Sequence, residues 1–158
     1  MYLTKFSTPW GEGYIRWHES GVTALFLPGN NFLGEYCPVV KTDPFDAVVQ
    51  LRYYFAKKLQ AFSLPLDYQG TAFQKLVWKG LQQIPYGETW SYSRLADFIG
   101  YPRAARAVGN ANGSNPIPII IPCHRVIRSN QTLGGYSQGI AFKKALLELE
   151  KSAVLTLE

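Results

Sequence analysis

Side chains that bind metals or form cross-links are scarce in this chain of 158 residues. It has two cysteines, Cys37 and Cys123, and two histidines, His18 and His124, with no CxxC or HxxxH spacing. Zinc sites usually combine three or four such ligands at short spacing, so we expect no bound metal. Two cysteines in a cytosolic chain are more commonly free thiols than a disulfide. We expect Cys37 to be a semi-buried small hydrophobe.

Long hydrophobic segments are also missing. The sequence has no run of eighteen apolar residues, and Met1–Lys5 does not begin the hydrophobic region of a signal peptide. We therefore expect a soluble, cytoplasmic protein without a membrane partner. With 47% hydrophobic and 15% aromatic residues, the chain has enough apolar side chains for one domain or two small ones.

The net charge of +5 lies entirely in the second half of the chain. Residues 1–67 contain six basic and six acidic side chains, whereas residues 68–158 contain ten and five. We place a domain boundary between these two parts, within a short connector. A basic part next to a neutral part suggests a polyanion as a binding partner, although +5 is also an ordinary charge for solubility.

Sequence patterns predict the main elements. Residues 14–17 and 22–27 have the composition of a β-hairpin. Residues 44–61 have the apolar spacing of an amphipathic helix, whose start Thr42-Asp43-Pro44 offers a capping side chain and a proline in the first turn. In the second half, we predict a helix capped by Thr71, a short helix 92–98 capped by Ser91, a helix opening at Pro102 and a last helix 139–151. The two middle helices form a helix-turn-helix pattern, with Arg103 and Arg106 on the second. A plain helical hairpin with solvated arginines is the alternative.

The segment Pro122–Arg125 is the most informative part of the sequence. It follows an apolar run that starts at Asn115, and three prolines restrict the backbone around Cys123. A thiolate is the reactive form of cysteine, and about a few per cent is ionised at neutral pH when the pKa is near 8.5. We expect His124 and Arg125 to increase that fraction. For an isolated Cys-His pair, a buried structural cysteine is the alternative.

Several motifs in the same order make the sequence similar to the O6-alkylguanine-DNA alkyltransferases, also called methylated-DNA–protein-cysteine methyltransferases. The similarity covers most of residues 70–151, whereas residues 1–67 match only in layout. The resemblance implies an α+β fold with a small α/β domain like ribonuclease H at residues 1–67. A mainly helical domain of the helix-turn-helix or winged-helix type follows at residues 68–158. The matching motifs are Thr71–Gln74, Ser91-Tyr92, Ala104–Gly109, Asn115-Pro116, Pro122–Val126, Gly135–Ser137, Leu146-Leu147 and Glu150.

This resemblance implies DNA repair by one irreversible transfer of an alkyl group from O6-alkylguanine to Cys123, with O4-alkylthymine an open further substrate. His124 would take the thiol proton through a water, Glu150 would orient the imidazole, and Asn115 would brace the network. Tyr92 would donate a hydrogen bond or proton to the departing guanine. No cofactor is needed, because the lesion itself is the alkyl donor.

The resemblance also implies how the protein would bind DNA. Arg106 would fill the gap that an extruded nucleotide leaves in the base stack. The expected partner is double-stranded DNA bound by a monomer, which would associate with the nucleoid in a prokaryote. The other expected DNA contacts are Ser91, Arg103, Ala105 and Arg125, and the expected pocket residues are Tyr92, Val126, Tyr136 and Ser137.

Two departures and three alternatives stay open. Gln138 stands where many family members have glycine, which leaves the range of accepted alkyl groups open. The Cys and His zinc ligands of some family members are missing from the first half of the chain. An alkyltransferase-like lesion-binding protein would lack the acceptor Cys123. A sequence-specific transcription factor would have no use for the Cys-His-Glu set. A cysteine hydrolase would turn over and would not need DNA.

Overall fold

The computed structural model describes residues 1–30 and 37–157, which contain both helices and strands. The chain divides into two compact units, Met1–Gln69 and Gly70–Glu158. Within the described residues, none of the helices has the length and apolar character that crossing a bilayer requires.

The first unit contains an antiparallel sheet and one helix. The strands are β1 (Tyr2–Thr8), β2 (Gly11–His18) and β3 (Gly21–Phe26), in the order β1-β2-β3. The predicted hairpin is confirmed as β2 and β3, and β1 is an additional strand that the sequence patterns did not indicate. Helix α1 (Ala47–Phe55) packs against β1. The side chains buried in this unit include Leu3, Phe6, Ile15, Leu25, Leu51 and Tyr54.

Helix α1 is shorter than the predicted 44–61. Within the predicted helix start Thr42-Asp43-Pro44, the Asp43 carboxylate accepts hydrogen bonds from the backbone N–H groups of Phe45, Ala47 and Val48 at 3.0, 2.8 and 3.1 Å. These bonds satisfy N–H groups that a helix start leaves without partners. Lys57 has a φ of 62°, a left-handed conformation that cannot continue the helix. The predicted range of 44–61 therefore extends beyond the observed helix at both ends.

The second unit is mainly helical. Its helices are α2 (Ala72–Leu81), α3 (Tyr92–Phe98), α4 (Ala105–Gly113) and α5 (Ile140–Leu157). Two short parallel strands, β4 (Trp90-Ser91) and β5 (Val126-Ile127), pair with each other. Because β4 leads directly into α3 and β5 directly follows Cys123–Arg125, this pairing places the start of α3 next to the cysteine segment.

The predicted helix starts in this unit are confirmed at two places. The Thr71 hydroxyl accepts a hydrogen bond from the Gln74 backbone and the Gln74 side chain accepts one from the Thr71 backbone, a reciprocal capping box. The Ser91 hydroxyl accepts from the backbone of Arg94 and caps α3. Helix α4 begins at Ala105 rather than at Pro102, so Arg103 precedes the helix, and α5 extends to Leu157 rather than ending at 151.

Candidate active site

The segment before Cys123 is folded around one asparagine. The Asn115 side chain donates to the Ile121 carbonyl at 2.7 Å and accepts from the Ile117 backbone at 2.9 Å. The amide therefore bridges the turn from within, and Asn115 is buried. Ile119 in the same segment has a φ of 72°, which is rare for a β-branched residue. Such strain persists only where surrounding contacts determine the backbone, so this turn is held in one conformation.

Cys123 begins a single 3-10 turn, Cys123–Arg125, and only 2% of it is exposed. Burial raises the pKa of its thiol, whereas hydrogen bonding to Asn115 and Tyr136 and the charge of Lys143 lower it. The net pKa lies above the ordinary value, so the resting sulfur is a protonated thiol at neutral pH. This differs from the expected increase in the thiolate fraction. An activating group must therefore accept the proton when the sulfur reacts.

His124 and Glu150 form a buried pair. The imidazole Nε2 lies 2.7 Å from the Glu150 Oε2 atom, and both side chains are at most 1% exposed. Burial alone would raise the pKa of Glu150. The charges and hydrogen bonds of His124 and Arg125 outweigh it and hold that pKa well below the usual range. Glu150 is therefore an ionised acceptor, so the proton of the neutral imidazole lies on Nε2.

The other imidazole nitrogen has a different environment. His124 Nδ1 is buried and accepts no hydrogen bond from any part of the protein that the structure describes. With Nε2 donating to Glu150, Nδ1 carries the lone pair of the neutral ring. The residue next to Cys123 thus presents a basic nitrogen, and the carboxylate behind it stabilises a positive charge on the ring.

Arg125, which the sequence predicts as a DNA contact, has a different environment in the structure. Its Nε and Nη2 atoms donate to the two carboxylate oxygens of Glu150 at 2.8 and 3.0 Å, and Nη1 donates to the Ile84 carbonyl at 2.9 Å. The residue is 6% exposed. A guanidinium with this bidentate, buried arrangement cannot reach a phosphate without breaking the pair. Arg125 therefore belongs to the support of Glu150.

A cavity of about 320 Å³ lies beside this cluster. Asn112 connects it to Cys123, because the Asn112 amide donates to the Cys123 carbonyl at 3.4 Å. Burial, followed by the neighbouring Cys123, raises the pKa of the Tyr136 hydroxyl. The predicted pocket residue Val126 is fully buried next to the cluster. The cavity wall consists of Tyr92, Gly109, Asn112, Gly113, Gly135, Tyr136 and Ser137.

Tyr92 forms one side of the cavity. Burial is the main influence on the pKa of its hydroxyl and raises it. Arg128 lowers this pKa and Cys123 raises it, and the net value lies above the ordinary one, so the hydroxyl remains protonated at neutral pH. A Cβ atom on Gly134 would lie 3.1 Å from that hydroxyl, and Gly134 has a φ of +71°. Glycine at this position therefore lets the loop approach Tyr92 closely.

Residues 72–152 match the family model described as "6-O-methylguanine DNA methyltransferase, DNA binding domain". The chain belongs to the 6-O-methylguanine DNA methyltransferase family. This match confirms the resemblance inferred from the motifs.

Two similar proteins and one similar solved structure illustrate the match. A Mycobacterium tuberculosis protein named methylated-DNA–protein-cysteine methyltransferase is 62% identical over 106 residues, which are 67% of this chain and 64% of that protein. The protein of the same name from Methanosarcina barkeri is 46% identical over 155 residues, 96% of this chain and 98% of that protein. The crystal structure of Mycobacterium tuberculosis OGT in complex with DNA is similar with a TM-score of 0.90 and 48% identity, covering 97% of this chain and 94% of that chain.

Within the unit Gly70–Glu158, the residues predicted to contact DNA lie in different places. Arg103, Ala105 and Arg106 lie together at the start of α4, and both arginines are exposed. Ser91 is half-buried before α3, where its hydroxyl already serves as the helix cap. Ser137, which the sequence predicts as a pocket residue, is an exposed part of the cavity wall.

Two residues at this site were missed by the sequence interpretation. Asn112 is buried between the cavity and the Cys123 carbonyl, and Lys143 is fully buried on α5. The signal for Lys143 is its spacing: Lys143, Leu146 and Glu150 follow each other at intervals of three and four residues and are all buried. A charged residue in register with the apolar face of a helix indicates a buried polar contact.

Among the described residues, no three Cys, His, Asp or Glu side chains are grouped so as to hold an ion.

Proposed function

We propose that the protein repairs DNA by transferring the alkyl group of O6-alkylguanine to the sulfur of Cys123. The observation that carries this proposal is the buried Cys123–His124–Glu150 set beside a cavity, within the part of the chain that matches the family's DNA-binding domain. The unit Gly70–Glu158 would both bind the duplex and accept the alkyl group.

The reaction is a displacement at carbon. The sulfur forms a new S–C bond while the bond between the alkyl carbon and guanine O6 breaks, and guanine leaves with the electron pair of that bond. The thiol proton moves to the protein, and guanine takes up one proton. No additional oxidant, reductant or alkyl donor enters this balance.

His124 is the proton acceptor in this proposal. Its Nδ1 atom is the free basic nitrogen of the ring, and a water between Nδ1 and the sulfur would carry the proton. Glu150 lies 2.7 Å from Nε2 and would stabilise the imidazolium that forms. This is the arrangement of nucleophile, base and orienting carboxylate that activates weak nucleophiles. It suits a thiol whose burial favours the protonated form.

Tyr92 would assist the leaving group. A guanine that departs from its O6 substituent is an anion unless it is protonated, and a hydrogen-bond donor stabilises that charge as it develops. Tyr92 is a wall residue of the cavity, and its raised pKa keeps the donor proton on the hydroxyl. Ser137 and Tyr136 on the opposite loop would hold the purine.

The target base must leave the duplex to enter this cavity. A stacked base hides its O6 substituent, and flipping costs about a few kcal/mol, less for a damaged base that pairs poorly. Arg106 is exposed on the first turn of α4 and would occupy the vacated position in the stack. Phosphate contacts from basic side chains would supply affinity that does not depend on sequence.

The product is a thioether on Cys123. A thioether is stable to hydrolysis, so each protein molecule would react once. Intact-protein mass spectrometry after incubation with a duplex containing one O6-methylguanine tests the proposal. A gain of one methyl group on Cys123 that stops at one equivalent is expected. Tight binding without any mass change would contradict it and would indicate a lesion-binding protein.

Arg106→Ala is expected to slow methyl transfer from duplex DNA while leaving the reaction with the free O6-methylguanine base unchanged. The loss should be about 10- to 100-fold, since the variant has to flip the nucleotide without a side chain to fill the gap. Rates of methyl uptake on both substrates measure this.

The matched control is Arg103→Ala, which removes the same charge two residues before α4. It should raise the DNA concentration needed for half-maximal rate but preserve the rate at saturation. Equal losses for Arg106→Ala on duplex and free base would contradict the gap-filling role.

A further inference from the structure

Lys143 is fully buried, although lysine is almost never fully buried unless its charge has partners. Its partners are three backbone carbonyls. The ammonium donates to Val126 at 2.7 Å, to Gly135 at 3.1 Å and to Leu133. An ammonium has three N–H donors, so this set uses all of them.

These three carbonyls belong to two separate segments of the site. Val126 is in β5, three residues after Cys123. Leu133 and Gly135 belong to the loop that continues into Tyr136 and Ser137, and Gly135, Tyr136 and Ser137 are part of the cavity wall. One side chain on α5 therefore joins the strand that follows the nucleophile to the loop that closes the cavity.

We propose that Lys143 is a positioning residue, which holds the wall Gly135–Ser137 at a fixed distance from Cys123 so that a base in the cavity presents its alkyl carbon to the sulfur. This inference rests on the proposed function, because it concerns the rate of the same transfer. Lys143 acts through the loop and does not touch the reacting atoms.

The electrostatics of the site agree with this role. Burial lowers the pKa of Lys143 to about 8, while Cys123 raises it and Arg128 lowers it further. The ammonium is thus mostly charged at neutral pH despite its burial, and a charged donor makes stronger hydrogen bonds to carbonyls than a neutral amine. An apolar side chain of similar length would fill the space but remove the donor from all three carbonyls, of which that of Val126 is buried.

Lys143→Met tests the inference, because methionine keeps the length of the stem and removes the ammonium. Lys144→Met is the matched control, since Lys144 is the next residue on α5, is exposed and loses the same charge. Methyl uptake from an O6-methylguanine duplex is followed over time at several DNA concentrations. We expect the rate of Lys143→Met at saturating DNA to be about 10- to 100-fold lower than that of the wild type, because a displacement of the base by about 1 Å from the sulfur has a cost of this size. The DNA concentration for half-maximal rate should not change.

Two further readouts separate positioning from folding and from thiol activation. The final uptake of Lys143→Met should still reach one methyl per molecule, only more slowly. Alkylation of Cys123 by iodoacetamide does not need the cavity wall. Because the Lys143 ammonium also lowers the pKa of the thiol, the pH profile of this alkylation should move to higher pH in Lys143→Met, whereas the rate at high pH should match the wild type. Lys143→Gln retains two N–H donors and should react at a rate between those of Lys143→Met and the wild type.

Several results would overturn the inference. Wild-type saturation rates for Lys143→Met would show that the contacts do not matter for transfer. Incomplete uptake, with the reacting fraction as fast as wild type, would show that Lys143 serves folding alone. A loss of the same size with iodoacetamide at high pH, or equal rates for the methionine and glutamine variants, would place the effect of Lys143 elsewhere than in the loop contacts. If the wild-type protein itself takes up no methyl group, the proposed function fails instead.

Discussion

Cys123→Ala is expected to take up no methyl group from O6-methylguanine DNA and to bind the same duplex as tightly as the wild type. The loss is complete because the sulfur is the atom that forms the new bond, and alanine offers no nucleophile in its place. DNA affinity is preserved because Cys123 is only 2% exposed and the exposed arginines of α4 are untouched. The small volume change should lower the free energy of unfolding by about 1 kcal/mol at most.

Cys37→Ala is the control for this experiment. Cys37 is the other free cysteine and is half-buried in the first unit, so its removal should leave one methyl per molecule on Cys123. Mass spectrometry of the intact protein and of its peptides measures both variants, and filter binding or fluorescence anisotropy measures affinity. Methyl uptake by Cys123→Ala, on any residue, would refute the assignment of the acceptor.

The parts of the fold that the sequence predicts correctly depend on local interactions. The capping box at Thr71 involves residues three positions apart, and the Ser91 cap also acts within one turn. The hairpin of β2 and β3 depends on a short turn between two alternating segments. Each of these signals is complete within ten or so residues, so periodicity and capping residues are sufficient to find it.

The failures depend on contacts between distant parts of the chain. Arg125 contacts Glu150 and Ile84, which are 25 and 41 positions away, and nothing near Arg125 shows that its side chain points inward. The sequence alone therefore favours a DNA contact for this basic residue next to the nucleophile. The length of α1 is a different failure: the apolar spacing continues to about residue 61, but the left-handed backbone at Lys57 ends the helix earlier.

The candidate site shows the same division. The motif around Cys123 and its resemblance to the family indicated the nucleophile, the imidazole and Glu150. The state of the sulfur was not predictable, because the burial that raises its pKa comes from the packing of several elements. Lys143 was missed because the amphipathic pattern of α5 was interpreted through its apolar residues alone.

Glu150→Gln is expected to reduce both the transfer rate and the stability. The amide is neutral, so the imidazolium of His124 loses the carboxylate that stabilises it, and the rate should fall by about 10²- to 10⁴-fold, the range for loss of general-base assistance. The buried guanidinium of Arg125 also loses its counter-charge. Breaking such a buried pair from one side typically costs about 3–5 kcal/mol, and glutamine should lose somewhat less because it retains one acceptor.

The pH dependence of unfolding gives an independent readout of the same carboxylate. The pKa of Glu150 in the folded protein lies below its value of about 4.3 in the unfolded chain. The unfolded state therefore binds the proton first, so the contribution of Glu150 to stability is fully present above that pH and is lost as the pH falls below it. Chemical denaturation at a series of pH values should show a shallower acid decline for Glu150→Gln than for the wild type.

Glu148→Gln provides the matched control, because Glu148 is exposed on the same helix two residues earlier. It should retain the wild-type rate and the wild-type acid decline. If Glu150→Gln transferred methyl groups at the wild-type rate, His124 would not need the carboxylate, and a different group would have to stabilise the proton taken from Cys123. If its acid decline paralleled that of the wild type, the low pKa of Glu150 would be wrong. The two outcomes are separable, since the first concerns the reaction and the second the folded ground state.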